Sequence, residues 1–174
     1  MRRLILALPL AFLTVTSCKR STHQTEAFVT EKAAPLVSVV NMNDPAAAAQ
    51  LVRGFYTLEA ATWRWTAKQF EVALKPPPGA SEKGARLSFR LAVPDAVVSK
   101  FGPVTLSAAI NGLALPPETY AKSGNYVYER DVPASALKGD AIAVQFISDK
   151  GIAPSAQDAR ELSLIAVSIG LVGK

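Results

Sequence analysis

From Leu87 onward, apolar and polar residues take turns along the chain. Leu87, Phe89, Leu91 and Val93 alternate with Ser88, Arg90 and Ala92, the period-two rhythm of a strand with one buried face. Val104, Leu106, Ala108 and Ile110 repeat the rhythm. Asn111-Gly112 then supplies a two-residue turn in which both positions tolerate positive φ, predicting a β-hairpin. Its return strand, 113–115, is expected to stop at Pro116-Pro117, because proline cannot donate to a ladder. Tyr126, Tyr128 and Arg130 alternate with Val127 and Glu129, and Ile142, Val144 and Phe146 mark a further strand. The closing segment starts on even positions, Leu162 and Leu164, and continues on odd ones, Ile165, Val167, Ile169 and Leu171. That change of parity predicts a bulge near Leu164-Ile165, or a strand buried on both faces.

Turn residues separate these runs: Pro76-Pro77-Pro78-Gly79, Phe101-Gly102-Pro103, Ser123-Gly124-Asn125 and Lys138-Gly139. Pro133 to Leu137 reads as one helical turn. Six to eight short strands at this spacing, without a helix long enough for a βαβ crossover, predict an all-β fold, an antiparallel β-sandwich of jelly-roll or galactose-binding-like type over residues 52–174. Ahead of it, residues 18–51 are polar and then alanine-rich, and read as a flexible tether. Within the tether, Pro35-Leu-Val-Ser-Val-Val40 has the composition of a short strand. Asp44-Pro45 has the N-cap and N1 chemistry of a helical turn.

The first residues change the picture. Arg2 and Arg3 precede an apolar run from Leu4 to Leu13, too short and too proline-interrupted to span a bilayer, and small residues follow. Residues 1–17 therefore read as a signal peptide. Val15-Thr16-Ser17-Cys18 resembles the lipobox of bacterial lipoproteins, an aliphatic residue and two small ones before cysteine. The resemblance implies cleavage before Cys18 and acylation of its thiol and new amino terminus. Each buried CH₂ contributes about 0.8 kcal/mol, so two or more acyl chains hold a protein on a membrane where one does not. No other cofactor is implied. Lys19 is not the aspartate that retains many lipoproteins in the inner membrane, which points to the outer membrane, facing the periplasm or the surface.

With Arg2 and Arg3 removed, the formal charge falls from +5 to +3, and the remaining lysines and arginines are scattered. Nucleic acid is not an expected partner. The partners left are the membrane, through the lipid, and a polysaccharide or another envelope protein. The sole histidine, His23, and the sole cysteine, Cys18, precede the β-domain, so imidazole and thiolate chemistry and zinc ligation are not expected within it. No phosphate-binding glycine loop occurs. Carboxylates are plentiful, but no spacing singles out the pair, about 5–9.5 Å apart, that a glycoside hydrolase needs. No catalytic or metal-binding residues are assigned.

The candidate site centres on the only two tryptophans, Trp63 and Trp65, with Arg64 between them. In an unbroken strand both rings point outward, away from Phe70, Val72 and Leu74, onto a face that could stack on pyranose rings. A bulge between Thr66 and Phe70 would turn them inward and Arg64 outward. The usual burial of tryptophan and the cost of an arginine on a core face favour the inward arrangement for at least Trp65. Glu59, Arg64, Arg160 and Glu161 offer either structural ion pairs joining the two ends of the domain or a polar cleft with a bidentate arginine grip.

Gly54-Phe-Tyr-Thr-Leu-Glu59, Arg64-Trp65-Thr66, the Asn111-Gly112 turn and Asp158-Ala-Arg160-Glu161-Leu162 together resemble a β-sandwich domain of envelope bacteria. Such domains are appended to glycosyltransferases and methyltransferases that handle surface polysaccharides, and also occur as small lipoproteins. The resemblance spans about residues 52–172. It implies a sandwich similar in shape to galactose-binding-like and carbohydrate-binding modules, with Glu59, Arg64, Trp65, Arg160 and Glu161 at the family-like positions. Ser163 stands where related domains tend to have glycine. The expectation is a membrane-anchored, non-catalytic binder of envelope glycan or of a glycan-handling partner. Its rivals are an assembly protein and a carboxylate-dependent hydrolase.

Overall fold

The computed structural model describes residues 35–174; the expected signal peptide, Cys18 and the first part of the expected tether lie outside the described residues. Nine strands follow in chain order: β1 (Val39–Asn41), β2 (Leu51–Glu59), β3 (Trp63–Leu74), β4 (Ala85–Val93), β5 (Val104–Ile110), β6 (Leu113–Tyr120), β7 (Gly124–Val132), β8 (Ile142–Ser148) and β9 (Ile165–Gly173). Two short helices, α1 (Ala80–Lys83) and α2 (Asp95–Phe101), lie at the strand ends. All pairings are antiparallel.

The expected β-sandwich is present, and β3 is its hinge. One lateral edge of this twelve-residue strand pairs with β8 along residues 69–74 and with β9 at Arg64 and Trp65, so a single strand belongs to both layers. One layer runs β6-β5-β8-β3 and the other β3-β9-β4-β7. Aromatic rings bridge the layers. Phe146 on β8 stacks on Phe70 of β3 at 5.0 Å, meets Phe89 of β4 at 5.0 Å, and meets Tyr128 of β7 edge-on at 6.4 Å. The alternating residues expected to face inward on β4, β5 and β8 all belong to this core.

The Asn111-Gly112 turn forms as the sequence predicts, with φ of 45° and 83°. Its return strand does not stop at the prolines. β6 runs through Pro116 and Pro117 because the register to β5 shifts there, with Leu115 opposite Ala108 and Glu118 opposite Leu106, and a bulge needs no N–H from either proline. Their carbonyls are used instead. Tyr128 Oη and Arg130 Nε both donate to the Pro116 carbonyl, at 2.8 and 2.7 Å, and Arg130 Nη2 donates to that of Pro117 at 2.9 Å. These bonds tie the outer edges of the two layers together.

The domain also begins earlier than residue 52. β1 pairs with β9, Val40 and Met42 are fully buried, and a 3-10 turn over Pro45–Gln50 is capped by the Asp44 carboxylate accepting from the Ala46 N–H. Gln50 is buried and satisfied on both ends of its amide: Oε1 accepts from Val37 N–H, and Nε2 donates to the carbonyls of Val37 and Ala73. A run of alanines looks like a tether, but here buried Val40, Met42 and Ala47 and the amide clamp of Gln50 draw it into the sheet.

The bulge in β9 is displaced from its expected place. Leu164 and Ala166 face inward, then Ile169 and Leu171 do, and the register to β4 slips between Arg90 and Leu91, opposite Val167-Ser168. Ile165 and Val167 are therefore left on the outer face, only partly covered.

Candidate functional site

β3 keeps one parity along its length. Thr66, Phe70, Val72 and Leu74 are fully buried, and Arg64 lies on their side, with its Nε buried without a partner among the described residues and its Nη1 donating to the Tyr56 carbonyl at 3.1 Å. Trp63 and Trp65 lie on the other side, half-buried and edge-to-face, with ring centroids 6.0 Å apart. The inward arrangement favoured for Trp65 is thus corrected. Slippage between β2 and β3 is absorbed around Gly54 without reversing β3, and the Tyr56 carbonyl relieves the cost of turning Arg64 inward.

The register extends the tryptophans into a surface. Trp65 is opposite Ile165 of β9, Ile165 is opposite Ala92 of β4, and Ala92 is opposite Asn125 of β7. Directly opposed residues in antiparallel strands project to the same side. One outer-face row therefore crosses four strands, from an indole through an aliphatic floor to an amide, over about 14 Å at three strand spacings. Beside it opens a shallow cleft of about 360 Å³ lined by Arg90, Leu91, Asn125, Tyr126, Val127 and Val167. Arg90 and Asn125 were not singled out in the sequence. In the sequence Arg90 is an ordinary polar position of an alternating strand and Asn125 reads as a turn residue, whereas β7 already begins at Gly124, and only cross-strand register places both near the tryptophans.

The other candidate residues gather at the neighbouring end of β2, where the irregular segment 149–164 folds over β3. That segment is closed by an Ile152–Leu162 bridge and docked by Ser163 N–H on the Thr66 carbonyl. Arg160 Nη1 pairs with Glu59 at 2.7 Å, and its Nε and Nη2 fork onto Asp158. The Arg160 guanidinium holds the Asp158 carboxyl down at about 2, and the two carboxylates raise the Arg160 pKa in turn. Glu161 accepts from the Lys68 backbone N–H and lies 3.6 Å from Lys68 Nζ. The structure therefore joins Glu59 to Arg160 but gives Arg64 and Glu161 separate partners, so no joint arginine grip forms. Tyr56 links all three groups: its hydroxyl accepts from Glu161 N–H, its ring lies 5.5 Å beneath the Arg160 guanidinium, and its carbonyl takes Arg64. Ser163 spends its hydroxyl on the Lys150 carbonyl at 2.6 Å. This corner is a structural lock. Its Asp158 is shifted the wrong way for the neutral carboxyl that a hydrolase uses as general acid.

No protein-family profile and no curated protein matches the chain. Among solved structures, it is similar to a carbohydrate-binding module of family 36 in complex with calcium and xylotriose, at 9% identity and a TM-score of 0.43, over 78% of this chain and 99% of that one. A family 35 carbohydrate-binding module from an environmental isolate aligns at 14% identity and a TM-score of 0.39, over 83% and 90%. An acetyl xylan esterase from the rumen bacterium Butyrivibrio proteoclasticus aligns at 10% identity and a TM-score of 0.44, over 81% of this chain but 33% of the esterase. At such TM-scores these likenesses carry nothing about a ligand for this chain.

Proposed function

We propose that this protein is a lipid-anchored component of the bacterial envelope whose β-sandwich binds glycan, without transforming it, on the outer face of β3-β9-β4-β7. The observation that carries the glycan reading is the row running from Trp65 through Ile165 and Ala92 to Asn125, with Trp63 edge-on beside it. Pyranose rings present apolar C–H faces to indoles and hydroxyls to amides, and a row of this length suits an extended chain. Rings held by their own strand need little ordering on binding, which favours affinity. The anchor reading rests on Val15-Thr16-Ser17-Cys18.

In gels containing cell-wall or exopolysaccharide fractions, the wild-type domain is expected to be retarded and Trp65→Ala to migrate freely with its melting transition preserved. Unchanged retardation of a folded Trp65→Ala protein sinks the glycan reading. For the anchor, Cys18→Ala is expected to move the protein from membrane to soluble fractions, and continued sedimentation with membranes would refute it.

A further inference from the structure

Arg90 stands apart from the other arginines in the described residues of the β4-β7-β9 layer. Arg130 is consumed by Glu118 and two proline carbonyls, and Arg86 pairs with Asp131, which also holds Lys174. Arg90 is exposed and forms no ion pair within the described residues. Its neighbours explain this. Val127 is directly opposite on β7 and Ser168 on β9, with Ser88 and Ala92 before and after it on the same face of β4. The nearest carboxylate along β7, Glu129, is opposite Ser88, one row away. Among the described residues, no carboxylate lines the cleft that Arg90 shares with Asn125, Tyr126 and Val167.

We infer that the tryptophan face takes an acidic polysaccharide, one whose pyranose units carry carboxylates, and that Arg90 pairs with a carboxylate while the indoles hold the sugar rings. This rests on the glycan reading of the same face. The planar guanidinium fork matches a carboxylate in bidentate fashion, and an apolar floor on one side reduces the water competing for it. Arg90 and the tryptophan strand are separated by two strand spacings, about 10 Å, so one extended chain can touch both. The +3 charge of the expected mature chain works in the same direction at longer range.

The test compares polygalacturonate with its fully methyl-esterified, uncharged form by calorimetric titration at 0.15 M salt. The wild-type protein is expected to bind the acid form about tenfold more tightly. Arg90→Gln is expected to bring that ratio to about one, and Arg90→Lys, which keeps the charge but loses the fork, to give an intermediate value. A dextran sulfate arm at matched charge separates carboxylate recognition from general attraction to polyanions, and sulfate binding as tight as that of polygalacturonate overturns the inference. Equal affinity for both pectic forms in the wild type overturns the acidic preference while leaving the glycan reading intact. An Arg90→Gln protein that keeps the wild-type ratio removes Arg90 from the role. Silence toward both forms, together with free migration of the wild type in the polysaccharide gels, overturns the inference and the reading beneath it. Thermal melts of each variant confirm folding, which the exposure of Arg90 predicts to be unaffected.

Discussion

Replacing Gly54 with alanine is expected to unfold this domain or leave it marginal, with a loss of about 4 kcal/mol or more in chemical denaturation. Gly54 sits at φ 75° where β2 slips against β3, and an added Cβ would lie 2.1 Å from the Gln69 carbonyl oxygen and 2.7 Å from Phe70 Cα. Both obstacles are backbone, so no rotamer change relieves them. The backbone that would have to shift carries Phe70, one of the central aromatics. A folded domain holds only about 5–15 kcal/mol in reserve. Gly102→Ala provides the control. Gly102 has nearly the same φ, 78°, with ψ −156°, but open space where the Cβ would go, so it should lose only the backbone-strain penalty of about 1–3 kcal/mol. Equal losses at the two sites would show that conformation rather than close approach sets the effect at Gly54.

Phe146→Ala is expected to cost about 3–5 kcal/mol, because truncation leaves a cavity that three strands cannot close. Its ring is 1% exposed and touches Phe70, Phe89 and Tyr128, which come from β3, β4 and β7. Removing it severs the aromatic contacts of β8 with the opposite layer and leaves Phe70 against Phe89, at 5.7 Å, as the remaining ring pair between β3 and β4. The next residue of β8, Ile147, points the other way and is 53% exposed, so Ile147→Ala should stay within about 0.5 kcal/mol. The two variants can be read from parallel urea titrations. A small loss at Phe146 would mean that the layers are held mainly by their shared strand and their edge bonds.

These expectations differ in how they could be reached. That Phe146 faces inward and Ile147 outward follows from alternation within β8, because Ile142, Val144 and Phe146 share a parity. The role of Gly54 does not. It depends on Gln69 and Phe70 passing close to a glycine fifteen residues earlier, and nothing local in Gly54-Phe-Tyr announces that. The candidate site divides in the same way. Trp63 and Trp65 stand out by residue type, and Glu59 and Arg160 meet as one sequence reading allowed. Tyr56, which connects Arg64, Arg160 and Glu161, went unnoticed because an aromatic in a strand-like run resembles core. The prolines of β6 misled because their carbonyls, not their missing N–H groups, do the bonding.

By itself the sequence determined what short range can carry. It set the alternating strands, the Asn111-Gly112 hairpin, and a β-domain in which no histidine or cysteine is available. Only the tertiary structure decided which face of β3 turned outward, where the domain began and which residues stood beside the tryptophans. Alternation assigns residues to two sides of a strand but does not say which side is covered. That is settled by the layer stacked against it, and here β3 belongs to both layers through β8 and β9 on one edge, with its Phe70 ring packed on Phe89 of β4. Once β9 lay against Arg64 and Trp65, register alone lined up an indole, an aliphatic floor and an amide across strands distant in sequence.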